Sequence, residues 1–149
     1  VFAIDVDGDG DVDALSASVY DHVVAWYEND ASQSFTQRVI ADSADSARSV
    51  YAIDVDGDGD VDALSASHTD DTIAWYENDG SESFTKRVIT DSANAARSVY
   101  AIDVDGDGDI DALSACEIGD EVAWHENDGS QSFTDRIITT LADGAVSAY

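Results

Sequence analysis

The chain has 149 residues, enough for one domain with a buried core. Its 33 acidic residues stand against 6 basic ones, a net charge of -27 that repels nucleic-acid phosphates and anionic lipid and argues against both as direct partners. An apolar content of 44% excludes the disordered class, no apolar run reaches membrane-spanning length, and one cysteine, Cys116, excludes a disulfide framework within the chain.

The residues repeat. Trp26, Trp75 and Trp124 recur every 49 positions, and residues 1–49 match residues 50–98 at 37 of 49 places, which points to a repeat architecture before any other fold. The predicted units are 1–49, 50–98 and 99–147. Residues 148–149 begin a fourth, matching 50–51 and 99–100. The chain therefore reads as cut from a longer array or built to meet another copy end to end. Its start at Val1, with no secretory leader, predicts a processed product or a fragment. No N-x-[ST] acceptor for glycosylation is present.

Within the middle unit the first predicted strand, 50–55, is apolar and β-branched and runs into Asp54-Val55-Asp56-Gly57-Asp58-Gly59-Asp60-Val61-Asp62. These nine residues recur at 5–13 and, with one Val→Ile change, at 103–111. Carboxylates this dense repel one another unless a cation sits among them. The pattern D-x-[DN]-x-[DN]-G leads a calcium loop, whose positions 1, 3 and 5 aim oxygens at one point while a glycine at position 6 permits the turn. Asp54, Asp56 and Asp58 take those positions, and Gly59 takes the turn. The backbone carbonyl of Asp60 supplies position 7, and Asp62 closes the shell at position 9. Zinc lacks its borderline ligands here, because Cys116 stands alone and His22, His68 and His125 fall at unrelated places in the repeat. Magnesium keeps several waters and few protein ligands, so calcium suits this loop better, at about one Ca²⁺ per repeat. Three Ca²⁺ would leave a formal charge of about -21.

A short strand at 63–67 follows, then one at 72–77 and one at 84–90, with Asn78-Asp79-Gly80-Ser81 as the hairpin between the last two. Ala31 replaces Gly80 in the first unit, so a different turn is expected there. Residues 91–96 read as a small, polar connection. On the third strand Ile73 and Trp75 point one way and Ala74 and Tyr76 the other, so both faces are apolar and both need cover. Four-stranded antiparallel sheets stacked face to face are propeller blades, and the expected fold is all-β, three such blades in tandem. Small residues on the first two strands suit a crowded centre, with aromatics outside.

The unit resembles the FG-GAP/VCBS repeat family, whose blades also build the integrin alpha-subunit propeller. Residues 52–64 and 73–80 carry the match, which recurs three times along the chain. In that family the acidic loop joins a blade's first two strands and binds calcium. The resemblance implies ligands at Asp5, Asp7, Asp9, Asp11 and Asp13, at Asp54, Asp56, Asp58, Asp60 and Asp62, and at Asp103, Asp105, Asp107, Asp109 and Asp111. Such propellers close with more blades than this chain contains. Repeats 1 and 3 keep Val24, Trp26, Val39 and Val122, Trp124, Ile137 rather than polar caps, so association surfaces are expected at both ends, completing a ring or continuing as an open array.

Other sites weigh less. The pairs at 26–27, 75–76 and 124–125 read first as packing and only second as sugar-stacking platforms. Gly57-Asp58-Gly59 would repel phosphate. The histidines have no evident Ser partner, and carboxylate pairs serve better as metal ligands than as glycosidase groups. Arg48 and Arg97 are expected to offset nearby acids, and Cys116 to be passive. The expected function is a non-enzymatic, extracellular or cell-surface, calcium-binding structural repeat that assembles with its own copies or adheres to a glycan or surface protein. A carbohydrate-binding propeller is the alternative, and an accessory module of a larger enzyme is a third reading.

Overall fold

The computed structural model describes residues 1–148 and is built of strands throughout. The first sheet contains β1 (Phe2–Ile4), β2 (Asp13–Ser18), β3 (Val23–Asn29) and β4 (Phe35–Ala41). The second contains β5 (Ala47–Ile53), β6 (Asp62–Ser67), β7 (Thr72–Asn78) and β8 (Phe84–Thr90). The third contains β9 (Ala96–Ile102), β10 (Asp111–Cys116), β11 (Glu121–Asn127) and β12 (Phe133–Thr139). Each sheet is an antiparallel meander in chain order. The tandem blade architecture is therefore the observed one. Three blades stack without closing a ring. Tyr149, the second residue of the expected fourth unit, lies outside the described residues.

The inner strands β5 and β9 start three residues earlier than expected. Pairing of Ala47 with Ser67 and of Ala96 with Cys116 draws this low-propensity stretch into the sheet. The register shifts beside both pairs, leaving Arg48 and Arg97 as the extra residues of bulges.

The alternation on β7 decides what packs on what. Leu15, Val24 and Trp26 of the first blade bury against Ala52, Ala63, Ala74 and Tyr76 of the second. Leu64, Ile73 and Trp75 bury in turn against Ala101, Ala112 and Cys116 of the third. Large side chains on one face thus meet small ones on the next. Trp75 is fully buried, and truncating such a residue to alanine costs about 3–5 kcal/mol.

The centre departs from expectation. Phe2, Tyr51 and Tyr100 from the three inner strands form an aromatic ladder, with ring centroids 4.6 and 4.8 Å apart. Each ring lies directly across from a leucine of the second strand, Leu15, Leu64 or Leu113. The ends remain open: Ile138 is 58% exposed, whereas its repeat equivalents Ile40 and Ile89 are 9% exposed.

Candidate metal centre

Each acidic loop connects a blade's first strand to its second, and Asp13, Asp62 and Asp111 are the opening residues of β2, β6 and β10. The loop is shaped by its own carboxylates. Asp54 accepts hydrogen bonds from Gly57 N (2.8 Å) and Gly59 N (3.0 Å), which wraps the backbone around its head group. Asp56 accepts from Asp58 N at 3.2 Å, and Asp58 from Asp60 N at 2.9 Å. Gly57 and Gly59 sit at φ of +80° and +100°, which is why glycine stands at both places. The first loop repeats the set, with Asp5 accepting from Gly8 N and Gly10 N at 2.8 and 3.0 Å. In the third, Asp103 accepts from Gly106 N and Gly108 N at 2.7 and 3.1 Å.

Position 9 has a second task. The buried carboxylate of Asp62 accepts from Val55 N (2.9 Å) with one oxygen and from Asn78 N (2.8 Å) with the other. Asp13 and Asp111 do the same with Val6 and Asn29, and with Val104 and Asn127. Asn78 Nδ2 returns a hydrogen bond to Val61 O at 3.1 Å. The Asp–Asn pair thus ties the loop to the end of β7. The sequence shows this asparagine only as a hairpin marker. Its recurrence in all three units beside an equally constant Asp was the available signal.

One carboxylate oxygen from each of Asp5, Asp7 and Asp13 lies within 4.8 Å of the others, as for Asp54, Asp56 and Asp58, and for Asp103, Asp105 and Asp111. Oxygens around one Ca²⁺ at about 2.4 Å lie within about 4.8 Å of each other, so each cluster can hold a metal ion. The donors are all hard oxygens, which fits calcium and not zinc. The residues gathered by this criterion differ between loops: position 9 joins positions 1 and 3 in the outer two, and position 5 in the middle one. Asp9 and Asp11, Asp60 and Asp62, and Asp107 and Asp109 fall outside these triplets. Asp60 and Asp109 lie instead against Gly80 and Gly129, where an added Cβ would stand 2.5 Å from the carboxylate in each case.

Electrostatics follow the crowding. Burial and then the neighbouring aspartates push Asp7, Asp56 and Asp105 above the ordinary carboxylate range, against the pull of one backbone N–H each. Burial pushes Asp62 up to about 6 despite the N–H groups of Asn78 and Val55. A cation would favour the charged form of every one of them.

The first hairpin keeps its closing bond: Asp30 N to Ser34 O is 3.2 Å, as is Asp79 N to Ser83 O. The expected change of turn is instead a change of cost. Ala31 takes φ 60°, and Asn29 Oδ1 is buried without a partner, whereas Asn78 Oδ1 accepts from Gly80 N at 3.2 Å.

One constellation escaped the sequence reading. Ser114 Oγ lies 2.9 Å from His125 Nε2, and His125 Nδ1 lies 2.7 Å from Asp135 Oδ1, in the order of a Ser-His-Asp triad. Ser114 and His125 are buried, and the adjoining cavity is only about 10 Å³. The equivalent pairs are Ser16 with Tyr27 and Ser65 with Tyr76. Thr90 of the second blade donates to Asp135 at 2.8 Å, so the group is an interblade latch. Two changes in the third unit hinted at it: His125 stands where Tyr27 and Tyr76 do, and Asp135 where Gln37 and Lys86 do.

Trp26 and Trp75 are buried between blades and offer no sugar platform. Arg97 pairs with Glu117 at 2.6 Å as expected, whereas among the described residues Arg48 has no carboxylate in reach. Cys116 is buried, its thiol pushed up to about 11 by desolvation. Among the described residues, no helix is long and apolar enough to cross a membrane.

No curated protein matches the chain. The FG-GAP-like repeat family matches it at residues 5–65 and again at 54–114, each match running from one acidic loop through its blade into the next. Those two matches span most of the chain, which belongs to the FG-GAP-like repeat family.

Proposed function

We propose that this chain is a non-enzymatic, calcium-stabilised structural repeat that works outside the cell, assembling with copies of itself or adhering to a surface. The observation that supports the reading is a triplet of converging carboxylates in each of the three acidic loops, built on positions 1 and 3 every time. Extracellular calcium modules bind at roughly 10⁻⁴–10⁻³ M. At about ten times Kd each site adds about 1.4 kcal/mol, and three add about 4 kcal/mol. Against a net stability of roughly 5–15 kcal/mol that is a large share. Melting with excess calcium and with excess EDTA tests it. A fall of about 10 °C on chelation is expected for a domain of this size, and superimposable melts would overturn the calcium reading.

A further inference from the structure

We propose that the groove along the inner strands binds a small aromatic monocarboxylate, held by Arg48 and Arg97 and seated against the tyrosines of the central ladder. A cavity of about 430 Å³ lies there, within the range of roughly 300–1,000 Å³ that small-molecule sites occupy. None of the residues around it is acidic, although 33 of the 149 in the chain are, and two of the 6 basic residues are among them. The groove is therefore a positive island on a chain of charge -27. It stands on junctions inside the chain. β5 has β1 on one side and β9 on the other, and β9 has β5 and residues 146–148 as its neighbours. Further blades would lengthen the groove and leave both arginines in place.

Arg48 and Arg97 are the second residues of β5 and β9, where the bulges re-aim their side chains out of the strand alternation and onto the cavity. Glu117 engages Arg97 at 2.6 Å, whereas Arg48 has no carboxylate in reach among the described residues. A free guanidinium presents parallel N–H donors that meet one carboxylate in two bonds. Ser49 and Ser98, next in the chain to the arginines, line the same cavity. Their oxygens already accept from Val99 N and Ala148 N, at 3.3 and 3.2 Å, which leaves each O–H to donate. Donors thus converge on a space that holds no charged acceptor. The remaining lining selects the body of the ligand. Tyr51 and Tyr100 supply aromatic rings, and Val146, which replaces the arginine in the third unit, supplies an apolar wall. A flat ring fits beside tyrosines and under a guanidinium. Each further negative charge on the ligand would be repelled by the whole chain, so one carboxylate suits the groove better than a sulfate or phosphate dianion.

Benzoate is the probe, with benzamide as its uncharged counterpart and sulfate as the dianion, each titrated in calcium and followed by NMR. The ring signals of Tyr51 and Tyr100 are expected to shift to saturation with a Kd of roughly 1 mM, as suits so small a ligand. Benzamide should bind about tenfold more weakly or worse, because it lacks the charge-assisted bonds. Arg48→Gln changes an exposed side chain without a carboxylate partner, so the fold should hold and calcium-dependent melting should stay as it is. The same variant should weaken benzoate by about tenfold or more. Equal binding of benzoate and benzamide, or undiminished binding by Arg48→Gln, would overturn recognition by the arginine. Tighter binding of sulfate than of benzoate would overturn the preference for a single charge. The absence of any saturable shift up to about 50 mM benzoate would overturn the site itself. The acidic loops lie at the other ends of these inner strands, so none of these failures touches the calcium reading.

Discussion

Asp62 shows how one buried carboxylate governs a loop. Burial pushes its pKa from 3.8 up to about 6, so the folded chain holds this proton more tightly than the unfolded chain. Its contribution to stability is therefore complete below about pH 4 and lost as pH rises through about 6, a swing on the order of 3 kcal/mol. Asp7, Asp56 and Asp105 are raised as well and act with the same sign. Glu117 acts oppositely, because Arg97 and then His68 hold it down at about 2, but its window lies below about pH 4.5. In EDTA, denaturant unfolding should thus show stability increasing as pH falls from 7 to about 4.5. Saturating calcium should flatten or reverse the slope, since the cation prefers the charged carboxylates. The same slope with and without calcium would mean that no cation sits near Asp62. Ala31 offers a second test at this scale. An L-residue in the left-handed region costs roughly 1–2 kcal/mol, so Ala31→Gly should raise the melting temperature slightly once glycine's extra unfolded entropy is subtracted. Gly80→Ala should lower it, because alanine would have to hold φ +73° and move the Asp60 carboxylate aside.

The acidic loop behaves as an element with two ends. Its first aspartate folds the turn by accepting two glycine N–H groups, and its last fastens the turn to the third strand of its blade. In the first loop a cation held by the triplet would therefore brace three strands of the blade, because β1 and β2 flank the loop and Asp13, a member of the triplet, accepts from Asn29 at the end of β3. Asp54→Asn removes a charge at position 1 while keeping an oxygen that can still accept from a glycine N–H. Isothermal titration is expected to report three Ca²⁺ per chain for the unsubstituted protein and two for Asp54→Asn. Three sites of unchanged affinity in the variant would place the ion elsewhere. The hairpin at the outer edge is a separate element. Asp79 Oδ1 accepts from the Ser81 hydroxyl at 2.6 Å and from Ser81 N at 3.0 Å, which holds that carboxyl below its usual range and pre-forms the turn.

At the scale of the molecule, stability comes from the contacts between blades. These are apolar at their middle, and among the described residues a Thr-Asp-His-Ser latch closes the junction between the second and third blades. Thr90, Asp135, His125 and Ser114 join the second blade to the third. The junction between the first and second blades has Ala41, Lys86, Tyr76 and Ser65 in those places. Asp135→Ala would leave a buried imidazole nitrogen unpaired and take the acceptor from the Thr90 hydroxyl, at a cost of about 1–3 kcal/mol. Equilibrium denaturation should show that loss, and a double-mutant cycle with Thr90→Val should show the two changes coupled. Additivity would mean that the latch does not bridge the blades.

The blade was legible in the chain because its causes are local. The alternation Ile73-Ala74-Trp75-Tyr76 sets two faces, the acid–glycine run sets a turn that needs a cation and positive φ, and a 49-residue period sets the number of copies. Strand boundaries were less legible where pairing overrode propensity, as at Ala47 and Ala96. Which carboxylates converge and which serve the backbone was not legible either. Residue spacing places five aspartates on one loop, but hydrogen bonds from Asn78 and Val55, distant in the chain or across the turn, decide what each oxygen does. The Ser114–His125–Asp135 latch and the aromatic ladder of Phe2, Tyr51 and Tyr100 came from tertiary structure alone. Their members lie on different strands or different blades, and no local pattern encodes a contact that exists only once sheets have stacked.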